Sequence, residues 1–175
     1  WRARGIFLFL LLAVGCGKDT STTPSASSAR QLLDALHIDN HPACADQHYI
    51  RTDWLPGWKI ISDCQNTRAK VLIAQSSVGV TYTNSKDCTV SKGYWTSSYN
   101  DKSYTSASDL DIDHFVPLGE AHKAGGCTWP SEKKNSYAND LSNNYHLIAV
   151  DSSSNRSKSD RSPSDWLPAN TKFHC

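Results

Sequence analysis

Apolar positions along the chain change period from stretch to stretch, and the changes predict an ordered mixture of helices and strands. Ile6 to Val14 is an unbroken apolar run behind Arg2 and Arg4, too short to span a bilayer stably and shaped like an export signal. Leu32, Leu33 and Leu36 share one helical face, with Ser27 or Ser28 placed to cap it, and predict a short first helix. Asn66 to Gln75 predicts a second helix around Val71, Leu72 and Ala74. From Val78 to Tyr99 the residues turn β-branched, aromatic and alternating, with Gly93 as punctuation, which predicts a hairpin or small sheet. Leu110 to Val116 reads as a strand, and a helix from Pro117 to about Lys123 is broken by Gly125 and Gly126. A polar helix over Ser131 to Leu141, a strand over Tyr145 to Val150 and a helix opening at Asn155 complete the order, without any internal repeat.

Length and composition narrow the class. The 175 residues suffice for one domain with a real core, and 38% hydrophobic with 20% charged residues is a globular composition. Eighteen Lys and Arg against 17 Asp and Glu leave a net charge of +1, so a generally basic nucleic-acid binder is excluded and any polyanion site must be local. The chain starts at Trp1 and contains no Met, which leads us to expect a fragment of a longer reading frame. Ala13, Val14 and Gly15 ahead of Cys16 resemble a bacterial lipobox, which implies lipidation at Cys16; a plainly cleaved secretory peptide is the alternative. The expected organisation is a signal over 1–15, a flexible Ser/Thr-rich tether over 16–30 and one folded domain over 31–175.

With Cys16 set aside, Cys44, Cys64, Cys88, Cys127 and Cys175 remain in an exported chain, where disulfides persist. No pair has the CxxC spacing of a zinc ribbon. Sequence does not fix connectivity; the expected pairs are Cys64 with Cys88 and Cys44 with Cys127, leaving Cys175 for a partner beyond the end.

Chemistry concentrates in two segments, Asp111 to Ala121 (DIDHFVPLGEA) and Asn155 to Pro168 (NRSKSDRSPSDWLP). In a strand, Asp111 and Asp113 share one face and His114 takes the other. Two adjacent carboxylates repel unless a cation or donors neutralise them. A solvated edge is the bland explanation, and His114 followed by apolar Phe115 and Val116 argues against it. Magnesium is commonly held by one or two protein oxygens plus water and phosphate, a need that Asp113 and Asn155 meet. Asn155 alone would be a helix N-cap. Arg156, Lys158 and Arg161 form a basic cluster able to contact phosphates, although Asp160 and Asp165 partly offset it. His122 reads as packing, and His37, His41, His48 and His174 have no constellation around them.

DIDHFVPL, the pair Asn139 and Asp140, HLIAV and NRSKSDR together resemble the HNH, or ββα-metal, nuclease superfamily, and more narrowly its exported endonuclease-like members. Tyr49, Arg51, Trp58, Cys64, Thr67 and Arg68, then Cys88, Val90, Gly93, Trp95 and Tyr99, then Trp129, Trp166, Leu167 and Pro168 extend the resemblance over nearly all of the mature chain. Such proteins continue past the position of Cys175. The resemblance implies an α+β fold with a ββα-metal core built from Leu110 to Val116, Tyr145 to Val150 and the helix from Asn155. It implies His114 as general base, Asp113 and Asn155 as ligands of one divalent cation, magnesium or manganese, and Asp111 behind them. It also implies DNA, with RNA as the second option, as substrate of a monomeric exported endonuclease. His146 stands where the family carries an Asn; it is a candidate second catalytic residue supporting His114, an extra metal ligand or a structural residue. The competing expectation is a cation-stabilised envelope-binding module without catalysis, against which stands His114 beside Asp113, since a structural cation needs no base. A serine hydrolase lacks its GxSxG elbow.

Overall fold

A computed structural model describes residues 46–174 together with Arg30, Gln31, Asp34, Ala35 and Cys44. The expected export signal, Cys16, the tether up to Ala29, Leu32, Leu33, Leu36, His37, His41 and Cys175 lie outside the described residues. The chain divides into two units, Trp1–Asp39 and Asn40–Cys175. Of the first, the described residues include Arg30, placed by sequence in the tether but helical, with its guanidinium 3.1 Å from Asp34 one turn on. No helix among the described residues is long and apolar enough to cross a membrane.

The second unit is a mixed α+β structure with three small antiparallel sheets. Its elements are α1 (Arg51–Trp54), β1 (Ile60–Ser62), β2 (Gln65–Asn66), α2 (Thr67–Gln75), β3 (Thr81–Tyr82), β4 (Val90–Thr96), β5 (Ser103–Ser106), β6 (Leu110–His114), α3 (Leu118–Lys123), α4 (Ser131–Ala138), β7 (Leu147–Asp151) and α5 (Ser152–Lys158). Asn66 caps α2 by accepting from the Ala69 amide at 3.0 Å. Gly125 has φ +110, and a Cβ on Gly126 would lie 2.5 Å from the Trp54 ring, so both halves of the glycine break are required.

β7 pairs with β6 in antiparallel register, Leu110 opposite Asp151 through His114 opposite Leu147. Every residue of β7 is buried because both faces are covered. Leu147 and Ala149 join Val71, Leu72, Trp95, Leu110 and Ile112 in the largest core, while Ile148 and Val150 pack with Tyr99 on the other side. This two-sided cover is why Leu147 to Val150 reads as a continuous apolar run rather than an alternating one. In β6 only one face meets that large core, through Leu110 and Ile112, and Asp111 and Asp113 occupy the other.

The helix expected from Asn155 starts earlier, at Ser152, because Asp151 is its cap: the Asp151 carboxylate accepts from the Ser154 amide at 2.8 Å. Ser97 holds that carboxylate from the other side, donating to it at 2.9 Å. Asn155 is thereby freed from capping and sits inside the helix. Two disulfides, Cys44 to Cys127 and Cys64 to Cys88, have the expected pairing. The first ties the segment before α1 to the turn before α4, where Trp54 of α1 is enclosed by Trp129, Tyr137 and His122.

Candidate active site

β6 ends where its two buried ionisable residues meet α5 and α4. On one face, the Asp113 carboxylate accepts from Lys158 Nζ at 3.0 Å and, through a short hydrogen bond, from the Tyr99 hydroxyl. Lys158 also donates to the His114 carbonyl at 3.0 Å. Burial pushes the Asp113 carboxyl up, and Lys158 and Tyr99 pull it back down. Burial, reinforced by the Asp113 charge, pushes the Tyr99 phenol up, so it remains a donor. Asp111, one step back on the same face, accepts from Asn155 Nδ2 at 3.2 Å and lies 3.6 Å from Arg156. The neutralisation that the Asp-Ile-Asp run demands is therefore supplied by protein donors.

His114 occupies the opposite face. Its Nε2 lies 2.9 Å from the Ala138 carbonyl at the end of α4. A carbonyl only accepts, so Nε2 carries the proton and Nδ1 is the basic nitrogen of the neutral ring. Trp58 lies parallel to the imidazole, with ring centroids 5.7 Å apart and planes within 11°. Burial pushes the His114 pKa down to about 4, with the Ala138 hydrogen bond opposing and the charges of His146, Arg51 and Lys158 adding to the fall. The ring is thus uncharged at neutral pH, with Nδ1 as a lone-pair acceptor.

His146 follows the same rule one residue back, with its Nε2 2.8 Å from the Tyr137 carbonyl and its ring 5.9 Å from that of His114, edge to face. The last turn of α4 thus holds both imidazoles on adjacent carbonyls of the kind a helix end leaves without partners. His146 does not hydrogen-bond to His114, and its link to that residue runs through α4.

Asn139 fixes this arrangement, and sequence reasoning had noted it only as part of a motif. Its buried side chain accepts from the Lys59 amide at 2.9 Å and the Thr67 hydroxyl at 2.7 Å, and donates to the Asn135 carbonyl at 3.0 Å. Lys59 follows Trp58, and Asn139 follows Ala138. One side chain therefore joins the two surfaces on which His114 rests. Asn139→Ala is expected to cost about 1–3 kcal/mol, because buried donors on Lys59 and Thr67 lose their acceptor. Chemical denaturation checks this, and a loss below about 0.5 kcal/mol would show that the contact is dispensable.

Asp113, His114, Asn155 and Arg156 line one open cleft of ≈ 560 Å³, joined by Tyr49, Arg51, Gly119 and Asp160. The basic cluster is divided by the structure. Arg156 lies at the cleft with its side chain 77% exposed. Lys158 is buried against Asp113 and cannot serve as the surface phosphate contact expected of it, because α5 turns it inward. Arg161 folds back to donate to the Lys158 and Ser157 carbonyls and lines an apolar groove with Trp166 and Phe173 instead. His122 is packing as expected, bonded to the Gln47 carbonyl at 3.1 Å. His174 bonds to the Pro168 carbonyl, and His48 lies exposed outside the cleft.

Among the described residues no cluster of three or more His, Cys, Asp and Glu side chains could hold a metal by itself. The lining does include two oxygen-bearing side chains, Asp113 and Asn155. Asn155 points its amide nitrogen at Asp111, which turns Oδ1 the opposite way, and Asp113 lines the same cleft. Oxygens of these two types suit a hard divalent cation that keeps water and takes phosphate oxygens for its remaining positions, and a cation at Asp113 would share a buried carboxylate whose two oxygens already accept from Lys158 and Tyr99.

The family of GmrSD restriction endonucleases, C-terminal domain, matches residues 67–175. The chain belongs to this family. It is also similar to an uncharacterized secreted protein of Arthroderma benhamiae (strain ATCC MYA-4681 / CBS 112371), 40% identical over 152 residues that span 87% of this chain and 71% of the relative. No solved structure matches the chain. The segment shared with the GmrSD C-terminal family contains Asp113, His114, Asn139, Asn155 and Lys158, so the cleft's β6, α3 and α5 walls belong to a nuclease-type domain. Tyr49, Arg51 and Trp58 lie before that segment.

Proposed function

We propose that this protein is an exported endonuclease that hydrolyses phosphodiester bonds of DNA, with RNA as the second substrate, using one divalent cation. The observation that carries the proposal is the hydrogen bond from His114 Nε2 to the Ala138 carbonyl, which leaves Nδ1 as the basic nitrogen of a ring that lines one open cleft with Asp113 and Asn155. His114 Nδ1 takes a proton from water as the water oxygen bonds to phosphorus; one P–O ester bond breaks and the departing oxygen is protonated from solvent. Asp113 and Asn155 hold the cation, magnesium or manganese, which when bound stabilises charge on the phosphate and the departing oxygen. Asp111 orients Asn155, Lys158 favours the ionised form of the buried Asp113, and Arg156 faces the substrate backbone. His146 steadies the α4 turn on which His114 hangs.

β6, β7 and α5 act in this scheme as a ββα-metal core of the domain over 31–175, behind a signal over 1–15 and a tether lipidated at Cys16. Export is supported by the two disulfides, which persist in oxidising compartments, and by the secreted relative. Incubating the protein with plasmid and single-stranded DNA in magnesium, manganese or EDTA tests the proposal. Cutting with a metal and none in EDTA is expected. A folded protein that cuts neither DNA nor RNA with any divalent cation, yet melts lower in EDTA, would establish a cation-stabilised binding module in its place.

A further inference from the structure

We propose that Arg51, contributed from outside the family-matched segment, is a phosphate-binding residue of the cleft, taking a substrate backbone phosphate in addition to the one that Arg156 meets. The inference rests on the nuclease function proposed above and adds a subsite to it.

Three basic side chains come to the cleft and its floor, and two have carboxylate partners. Lys158 is 2.9 Å from Asp113, and Arg156 is 3.6 Å from Asp111. Arg51 has no carboxylate within ion-pair distance among the described residues; its charge acts on the Tyr49 phenol, whose ionised form it favours. The Arg51 side chain is exposed and lines the cleft with His114 and Asp113. An exposed guanidinium in the lining of the cleft, without a carboxylate partner, is suited to a phosphodiester oxygen pair, which its planar fork can meet with two hydrogen bonds.

The backbone beneath Arg51 is held more firmly than a four-residue helix would hold itself. The Arg51 carbonyl accepts from the Leu55 amide at 2.9 Å. Trp54, three residues on, is fully buried, and the Cys44 to Cys127 disulfide fastens the segment that leads into the helix. Two cations rooted in separate elements, α1 and α5, thus line the same cleft as His114 and Asp113. A polymer with a phosphate at every repeat can engage both. Asp160 also lines the cleft, but lies 3.7 Å from Lys123.

The test is binding of a fluorescein-labelled DNA duplex of about 16 base pairs in EDTA, followed by anisotropy between about 50 and 200 mM salt. Arg51→Gln is expected to weaken binding about 10-fold and to lower the salt slope by about one, with Arg51→Lys recovering part of the slope. Lys86→Ala, in a turn away from the cleft, controls for simple loss of charge, and unchanged melting temperatures control for folding. Equal affinity and slope for wild type and Arg51→Gln would overturn the proposal while leaving the nuclease function standing. A wild type that neither binds nor cuts DNA or RNA would overturn both.

Discussion

Replacing His114 by glutamine is expected to reduce metal-dependent DNA cleavage about 10³-fold while the protein stays folded, since loss of a positioned general base typically costs between 10² and 10⁴. Glutamine is the informative choice because its amide nitrogen can still donate to the Ala138 carbonyl, which alanine would leave buried and unpaired. It cannot accept a water proton as Nδ1 does. A 10³-fold loss corresponds to about 4 kcal/mol in the barrier, and a variant within 10-fold of wild type would remove His114 from the mechanism. The same pair of proteins has an expected pH signature in stability. His114 is pushed down to about 4 in the folded protein, against an ordinary value of about 6.5 in the unfolded chain. Between these values the unfolded chain binds more protons, so this contribution is complete above about pH 6.5 and is lost as pH falls towards 4. Wild type should therefore lose about 2–3 kcal/mol more than His114→Gln between about pH 7 and pH 4. Parallel stability curves would contradict the buried, neutral imidazole.

Lys158→Met is expected to destabilise the protein by about 3–5 kcal/mol, the cost of leaving one member of a buried ion pair alone. Both side chains are almost wholly enclosed, 6% and 7% exposed, and Lys158 additionally holds the His114 carbonyl. Asp113→Asn in the same chain should recover most of the loss, because an amide does not need the ammonium. A double-mutant cycle by urea denaturation measures this directly. Additive losses, or a single-variant cost under about 1 kcal/mol, would show that the pair is not the anchor of β6 to α5. Lys158 is thus expected to matter through stability and Asp113 geometry, without the salt-dependent binding defect expected of Arg51.

Sequence alone located β6, α3, α4, β7 and α5 to within a few residues, because their apolar periods and the Pro and Gly breaks are strong local signals. It did not show α1, β1, β2 or β5. These have four, three, two and four residues, too few to display a period, and α1 depends on tertiary burial of Trp54. The clustering of Asp113, His114 and Asn155 was legible because two short motifs carry it. The inward turn of Lys158 was not, since a basic residue on a short helix beside other basic residues has the same pattern whether it meets solvent or a buried carboxylate. Nor did sequence show what holds His114, because Ala138 contributes a main-chain oxygen and Asn139 acts through Lys59, both far from His114 in sequence.

That oxygen carries an evolutionary consequence. A partner that belongs to the main chain is present whatever residue occupies position 138, so its hydrogen-bonding role cannot be lost by a point mutation there. Selection at this position acts on volume instead, since Ala138 is fully enclosed beside Trp54 and Leu118 and larger side chains would push the turn away from the imidazole. Only side chains as small as that of alanine fit there, and the orientation of the base is set by the path of the backbone.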